Sequence, residues 1–209
     1  MIGAQPFTKE QENQLLDWFS KKRYPERNRA ILIFGIQTGF RISEILSLVR
    51  KDVEKAGKVL DSVYVRKVNM KGGKGAYQKG VTGRSMMMTK KTREAIRLQL
   101  DAIAKKGFTD PNDFLFQSMR GENKPLSVNG FWRLLWKSVD WLGLSGRIST
   151  HSMRKTFAGR IHDKLLEDKN PDNLRILQNG LGHANINNTI KYISFKEEGL
   201  NNAINDVFD

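Results

Sequence analysis

The segment NRAILIFGIQ, residues 28 to 37, is apolar on nearly every side of a helix. Such a helix has no face to offer water, so it must run through the middle of a core. It ends at Thr38-Gly39, where a glycine can take the left-handed conformation of a helix C-terminus. A second apolar stripe begins at once. Ile42, Ile45, Leu46 and Val49 recur at i, i+3, i+4 and i+7, which predicts a helix restarting in RISEILSLV. Arg41 sits between the two helices. A guanidinium beside a core needs a partner, because burying an unpaired charge is very unfavourable. Glu44 can supply it as an i,i+3 ion pair, or a bound phosphate can supply it through forked hydrogen bonds. Both readings stay open on this stretch alone.

A chain of 209 residues with 39% hydrophobic content is long enough to bury an ordinary core. With no cysteine, disulfides and thiolate metal sites are excluded and an intracellular, cytoplasmic setting is expected. No apolar run approaches the ~20 residues that span a bilayer. The 36 basic and 22 acidic residues give a net charge of +14, and the excess is concentrated. Between Ser62 and Arg93 stand Arg66, Lys67, Lys71, Lys74, Lys79, Arg84, Lys90, Lys91 and Arg93, without one acidic residue. Clustering of this kind is the footprint of a polyanion, most often nucleic acid, although a basic run can also be a solvated surface. Arg66, Lys67, Lys74, Lys79 and Arg84 are the expected DNA contacts. The tail from Ser194 to Asp209 has the opposite balance and is not expected to touch DNA.

Along the chain, Thr8 and Gln11 form a capping-box pattern ahead of Leu15, Leu16 and Phe19. The runs VLDSVYVRKVNM and GRSMMMT flank the glycine-rich KGGKGAYQKGVTG and predict a small antiparallel sheet with a long basic hairpin. KKTREAIRLQLDAIAKK returns to helix, closed by Gly107. In Asn129 to Leu142, Phe131, Trp132, Leu135, Trp136 and Val139 follow a helical stripe and are expected in the core rather than as a base-stacking platform. In STHSMRKTFAGRIHDKL, Ser149 or Thr150 can cap a helix whose first turn holds His151 and Arg154, with Phe157, Ile161 and Leu165 buried. Asn170-Pro171 is expected to open a further helix that Gly180 ends. The LGH turn should then expose His183, and Asn187 should cap the short helix carrying Tyr192. The fold class is mainly α with a small antiparallel β-sheet (α+β), in one domain over residues 1–209.

Taken one by one these motifs are weak. Arg41 in TGFRISEILSL, His151-x-x-Arg154, LGH at His183 and Tyr192 nine positions later, in this order, jointly resemble the catalytic domain of the tyrosine recombinases, the phage-integrase family. The resemblance runs from about Phe7 to Tyr192. It implies a site-specific DNA recombinase that cleaves and rejoins strands through a 3′-phosphotyrosyl intermediate, with double-stranded DNA carrying a specific site as partner. By the same resemblance, Arg41 and Arg154 clamp the scissile phosphate, Tyr192 attacks it and His151 handles the tyrosine proton. His183 hydrogen-bonds the phosphate, and a hairpin lysine, Lys71 ahead of Lys74, protonates the leaving 5′-oxygen. His162 is left structural or exposed.

The resemblance requires no metal and no cofactor, and it implies a homo-oligomer, a tetramer on DNA, without a membrane. A nucleoid-associated protein of prokaryotic, viral or mobile-element origin fits it. Many relatives carry a helical DNA-clamping domain ahead of the catalytic one; with Arg41 so near the N-terminus, none is expected within these residues. The tail 194–209, with Leu200, Ile204 and Phe208 on one stripe, either docks on a neighbouring subunit or packs on its own core. A type IB topoisomerase reaction and a non-catalytic DNA-binding regulator on the same scaffold are the alternative readings.

Overall fold

The computed structural model describes residues 3–66, 83–118 and 122–193. The central helix is where its composition requires it. α2 (Pro25–Thr38) buries ten residues, among them Ile31, Leu32, Phe34 and Ile36, and packs most extensively against α4 (Lys90–Ala104) and α6 (Thr150–Glu167). Gly35 lets α6 approach, since a Cβ there would lie 2.6 Å from the Met153 sulfur. α1 (Lys9–Ser20) starts at Thr8 with both halves of the capping box formed and lays Leu15 and Phe19 on α2 and on α5 (Val128–Trp141). These helices share one cluster of buried apolar residues with Val63 and Val65 from the sheet.

α3 (Ile42–Leu46) follows α2 after a three-residue break and is shorter than its apolar stripe predicts. Ser47 closes it, and Val49 leaves the helix to pair with Phe114 in an isolated antiparallel bridge. After a 3-10 turn at Arg50–Asp52, β1 (Glu54–Lys55) and β2 (Lys58–Val59) form a short ribbon that the sequence reading did not anticipate. β3 (Ser62–Val65) and β4 (Arg84–Met87) form the expected antiparallel pair, with Val65 opposite Arg84. Residues 67–82 between them, with Lys67, Lys71, Lys74 and Lys79, lie outside the described residues, as do residues 194–209 with Leu200, Ile204 and Phe208.

α5 corrects one expectation. Phe131, Leu135 and Ser138 are its buried residues, and Val139 packs partly against the same core. Trp132 and Trp136 are about half exposed, because each stands one position, ~100° of helix, past a buried residue. α6 begins at Ser149, whose hydroxyl accepts from the His151 N–H. α7 (Asn173–Leu181) starts after Asp172 rather than at Asn170-Pro171, and Gly182, not Gly180, ends it at φ +63°. α8 (Ile186–Ile193) is capped by Asn185, whose side chain accepts from the Asn187 N–H; Asn187 itself lies inside the helix. α7 and α8 pack on α6 through a second, smaller apolar cluster of Phe157, Ala158, Leu177 and Leu181, with Tyr192 at its edge.

Gly39 joins the two clusters. It ends α2 at φ +64°, and a Cβ there would lie 2.4 Å from the Phe157 ring. Gly57 has a similar φ of +74° but open space around it. Gly39→Ala is therefore expected to lower stability by more than the ~1 to 3 kcal/mol that a strained backbone alone costs, and Gly57→Ala by no more than that. Urea unfolding of the two variants side by side checks the difference.

Candidate active site

Arg41 is the N-cap of α3, so its backbone is extended and its side chain leaves the end of the helix. Glu44, on the first turn, is wholly buried and accepts three hydrogen bonds, each of 2.8 Å: from Arg41 Nη1, from the Arg41 backbone N–H and from Arg84 Nη2. Burial opposes the charge on this carboxyl, but Arg84 and Arg41 outweigh it and hold the pKa below its ordinary value. The i,i+3 ion pair, one of the two partners open to Arg41 on sequence, is thus present, and it leaves 20% of the side-chain surface in water.

Arg84 occupies a different place from the one expected. Instead of standing on the surface among the basic residues, it is 8% exposed, lies 4.3 Å over the Phe40 ring and donates to Glu44 and to the Gly180 carbonyl at 2.5 Å. The strand alternation explains this. Arg84 shares the inward face of its strand with Met86 and Met88, and a cation placed there must find a carboxylate. Burial lowers its pKa, against the pull of Glu44. Arg66 stays half exposed, 3.6 Å from Asp52.

Arg154 is 1% exposed on the first turns of α6. Nη1 donates to the Gly39 carbonyl at 2.6 Å, and Nη2 to the Leu181 carbonyl at 2.5 Å and to His183 Nε2 at 2.9 Å. Nε has no acceptor among the described residues. Burial first, then Arg41 and Arg84, lower the pKa to about 9, so the group is still charged near neutrality. His183 is buried, not exposed, because the Gly182 cap turns it inward under Arg154. Its second nitrogen lies 3.0 Å from Thr189 Oγ1. Burial, then Arg154, Arg41 and Arg84, push its pKa down to about 3, which makes it a neutral imidazole.

Tyr192 is brought to the same place by α8. Its hydroxyl lies 3.2 Å from His151 Nδ1, and its ring packs edge-on to His183 at 5.1 Å. Two cations flank the ring, Arg154 at 5.6 Å from its centre and Lys155 Nζ at 5.7 Å. His151 is exposed, whereas Lys155 is buried, which lowers its pKa. Sequence reasoning missed Lys155 and Thr189, and gave Glu44 no part beyond a helix ion pair. Thr189 carried a signal in its spacing, three residues before Tyr192 and hence on one side of α8. Three stretches far apart in sequence, at Arg41, His151–Arg154 and His183–Tyr192, are therefore brought to one site. Lys71 and Lys74 lie outside the described residues. Among the described residues no group of three or more His, Cys, Asp or Glu side chains is arranged to hold a metal ion.

The buried His183 makes stability depend on pH. Its folded pKa of about 3 lies below the ordinary imidazole value of 6.5, so between these values the unfolded chain binds the extra proton. Stability is then complete above about pH 6.5 and falls as the pH drops toward 3, by at most ~1.4 kcal/mol per pH unit for one proton. His183→Gln should flatten this slope; urea unfolding at pH 7, 6 and 5 measures the difference between the two proteins.

The chain is similar to known proteins over most of its length. It is 32% identical to the tyrosine recombinase XerD of Corynebacterium glutamicum over 174 residues, which cover 83% of this chain and 50% of that protein. It is 25% identical to the tyrosine recombinase XerA of Pyrococcus furiosus over 198 residues, 94% of this chain and 59% of the relative. The chain thus spans about half the length of such relatives. Among solved structures, the XerA recombinase superposes with a TM-score of 0.69 at 22% identity, covering 98% of this chain and 65% of that one. The catalytic domain of bacteriophage HP1 integrase superposes at 0.56 with 17% identity, covering 97% and 95%. These likenesses show the fold. The phage integrase family model matches residues 5–198, which contain every residue of the site just described, and the chain belongs to that family.

Proposed function

We propose that this chain is the strand-cleaving and rejoining part of a site-specific DNA recombinase. The observation that carries the reading is the single cluster in which a tyrosine hydroxyl, 3.2 Å from an imidazole nitrogen, stands beside Arg154 and the Arg41–Glu44–Arg84 group. Three guanidiniums against one carboxylate leave a surplus of positive charge, which suits a phosphodiester gathering negative charge under attack. The names of the relatives, tyrosine recombinases, support the same reaction class. The Tn1549 integrase, a structural neighbour, was solved with transposon right end DNA. Double-stranded DNA is the proposed partner, and a tetramer on DNA the proposed assembly.

In this mechanism Tyr192 Oη attacks phosphorus as His151 Nδ1 takes its proton. The bond to the 5′-oxygen breaks, leaving a 3′-phosphotyrosyl link and a free 5′-hydroxyl protonated by Lys71. Arg41 and Arg154 hold the non-bridging oxygens. Because the phosphotyrosyl bond conserves the energy of the one it replaces, the reverse step rejoins strands without a further energy source.

Tyr192→Phe keeps the packing of the ring but should abolish the covalent 3′ adduct on nicked duplexes drawn from the DNA flanking the gene, read on a denaturing gel. A persistent adduct would transfer the nucleophile to Tyr24, Tyr64 or Tyr77. Lys71→Ala should be rescued by a 5′-bridging sulfur, a leaving group that needs no proton; rescue of Lys74→Ala in its place would move only the general acid. Lys67→Ala and Lys79→Ala should each weaken binding at all sequences alike and flatten the salt dependence by about 0.9 per lost phosphate contact, measured by titration at several salt concentrations.

A further inference from the structure

The N-terminal end of α2, opposite the end that leads to Arg41, gathers cations that the proposed reaction does not use. Tyr24, the residue before α2, is held at φ +61° and ψ +55°, a left-handed backbone that a residue with a side chain rarely adopts and that persists only where its surroundings enforce it. Three cations pack on its ring: Lys106 from the turn after α4 at 4.3 Å, Arg27 at 4.7 Å and Arg23 at 5.1 Å from the ring centre. Among the described residues none of the three is paired with a carboxylate. Arg27 is only 5% exposed, and its guanidinium donates to the Gln117 carbonyl at 2.8 Å and to Asn28 Oδ1 at 3.0 and 3.1 Å, both neutral partners. Burial lowers its pKa to about 10, so the group is still charged near neutrality.

Tyr24, Arg27 and Lys106 line a cavity of about 250 Å³ together with Gln117. Gln117 is 7% exposed, and its amide Nε2 has no acceptor among the described residues, which leaves a buried donor unsatisfied. α2 opens on the same cavity without a side-chain cap, so its first N–H groups, at Glu26 and Arg27, add donors and the positive end of the helix dipole. The Glu26 carboxylate on the wall opposes an anion, but it stands against two cations on the wall and Arg23 beside the ring. We propose that this cavity is a binding site for a small phosphate-bearing anion. A tetrahedral oxyanion offers several acceptors at once, so it satisfies Gln117 Nε2 while neutralising Arg27 and Lys106. The volume lies just below the ~300 to 1,000 Å³ of pockets for drug-sized ligands, so the ligand is small. The 14 residues of α2, at ~1.5 Å each, put the cavity about 20 Å from Arg41, too far for one scissile phosphate to reach both.

The inference does not depend on the proposed reaction, and its test keeps the two sites apart. The chain has four tyrosines, Tyr24, Tyr64, Tyr77 and Tyr192, whose ring signals single Phe substitutions assign in spectra of the 13C-tyrosine-labelled protein. Inorganic phosphate, pyrophosphate and adenosine monophosphate, each titrated against chloride at constant ionic strength, should shift the Tyr24 ring saturably, while Tyr192 reports binding at the catalytic site separately. Tighter binding of the nucleotide would identify the ligand as a phosphate ester, and tighter binding of inorganic phosphate or pyrophosphate as a free phosphate. Lys106→Ala, at an exposed position, and Gln117→Leu, which keeps the backbone carbonyl that Arg27 uses, should each weaken binding roughly tenfold, as for the loss of one charge-assisted hydrogen bond. Lys105→Ala, one residue away and outside the cavity wall, should leave it unchanged. If the leucine variant does not fold, Lys106→Ala alone decides. No saturable shift at Tyr24, or equal weakening by Lys105→Ala, overturns the proposal. A Lys106→Ala variant that binds phosphate as the wild type does but loses affinity for duplex DNA also overturns it and gives these cations to the DNA backbone.

Discussion

The hydrogen-bond set of Arg154 is the constraint on which the rest of the site depends. Its partners are the carbonyls of Gly39 and Leu181 and the neutral ring of His183. None of them carries a negative charge, so the cation is held in place without being neutralised. Burying a guanidinium on these terms is costly, as its lowered pKa reflects, and the cost is one that an arriving anion would relieve. A carboxylate in direct contact would have offset that cost and left less positive charge for the phosphate of the proposed reaction. This is the trade between stability and function expected at a site built to hold a charged ligand.

The two carbonyls also explain why the backbone around the site takes the form it does. Gly39 turns left-handed to end α2, and its carbonyl then points at Arg154, with Arg84 also within 3.4 Å. Gly182 does the same at the end of α7, where the Leu181 carbonyl is freed for the same guanidinium and His183 is turned inward. Helix C-termini carry partial negative charge, so two of them converging on a buried cation supply part of the compensation that a carboxylate would otherwise give. α8 then closes over this arrangement, and its Thr189 and Tyr192 face the same imidazole.

Arg41 and Arg84 follow another rule, since they share one buried carboxylate. Glu44 receives three hydrogen bonds and fixes the Arg41 side chain at the mouth of the site, where part of it remains open to solvent. The choice between an ion pair and an anion-binding role for Arg41 is therefore not exclusive. The ion pair sets the direction of the guanidinium, and a fifth of the side-chain surface stays in water. Arg84 secures Glu44 from the strand side, which ties the sheet to α3.

Much of this was written in the chain. The apolar helix around Phe34, the glycine that ends it, the capping box at Thr8 and the antiparallel pairing of β3 with β4 follow from local stereochemistry and periodicity. The order of Arg41, His151, Arg154, His183 and Tyr192 pointed to one family. Where the sequence reading failed, the deciding contacts came from residues distant in the chain. Arg84 looked like one more cation in a basic stretch until the strand register set it opposite Val65 and beside Glu44, forty positions earlier. His183 looked exposed in a glycine turn until Arg154 and Thr189 enclosed it. Trp132 and Trp136 fitted a core stripe, but only the docking of α5 decided which side of that helix faced inward. Sequence determined the elements and the identity of the chemical groups, because propensity, capping and spacing act over a few residues. Tertiary structure alone decided which charges are paired and which are buried, because those depend on neighbours that only folding brings within 3 Å.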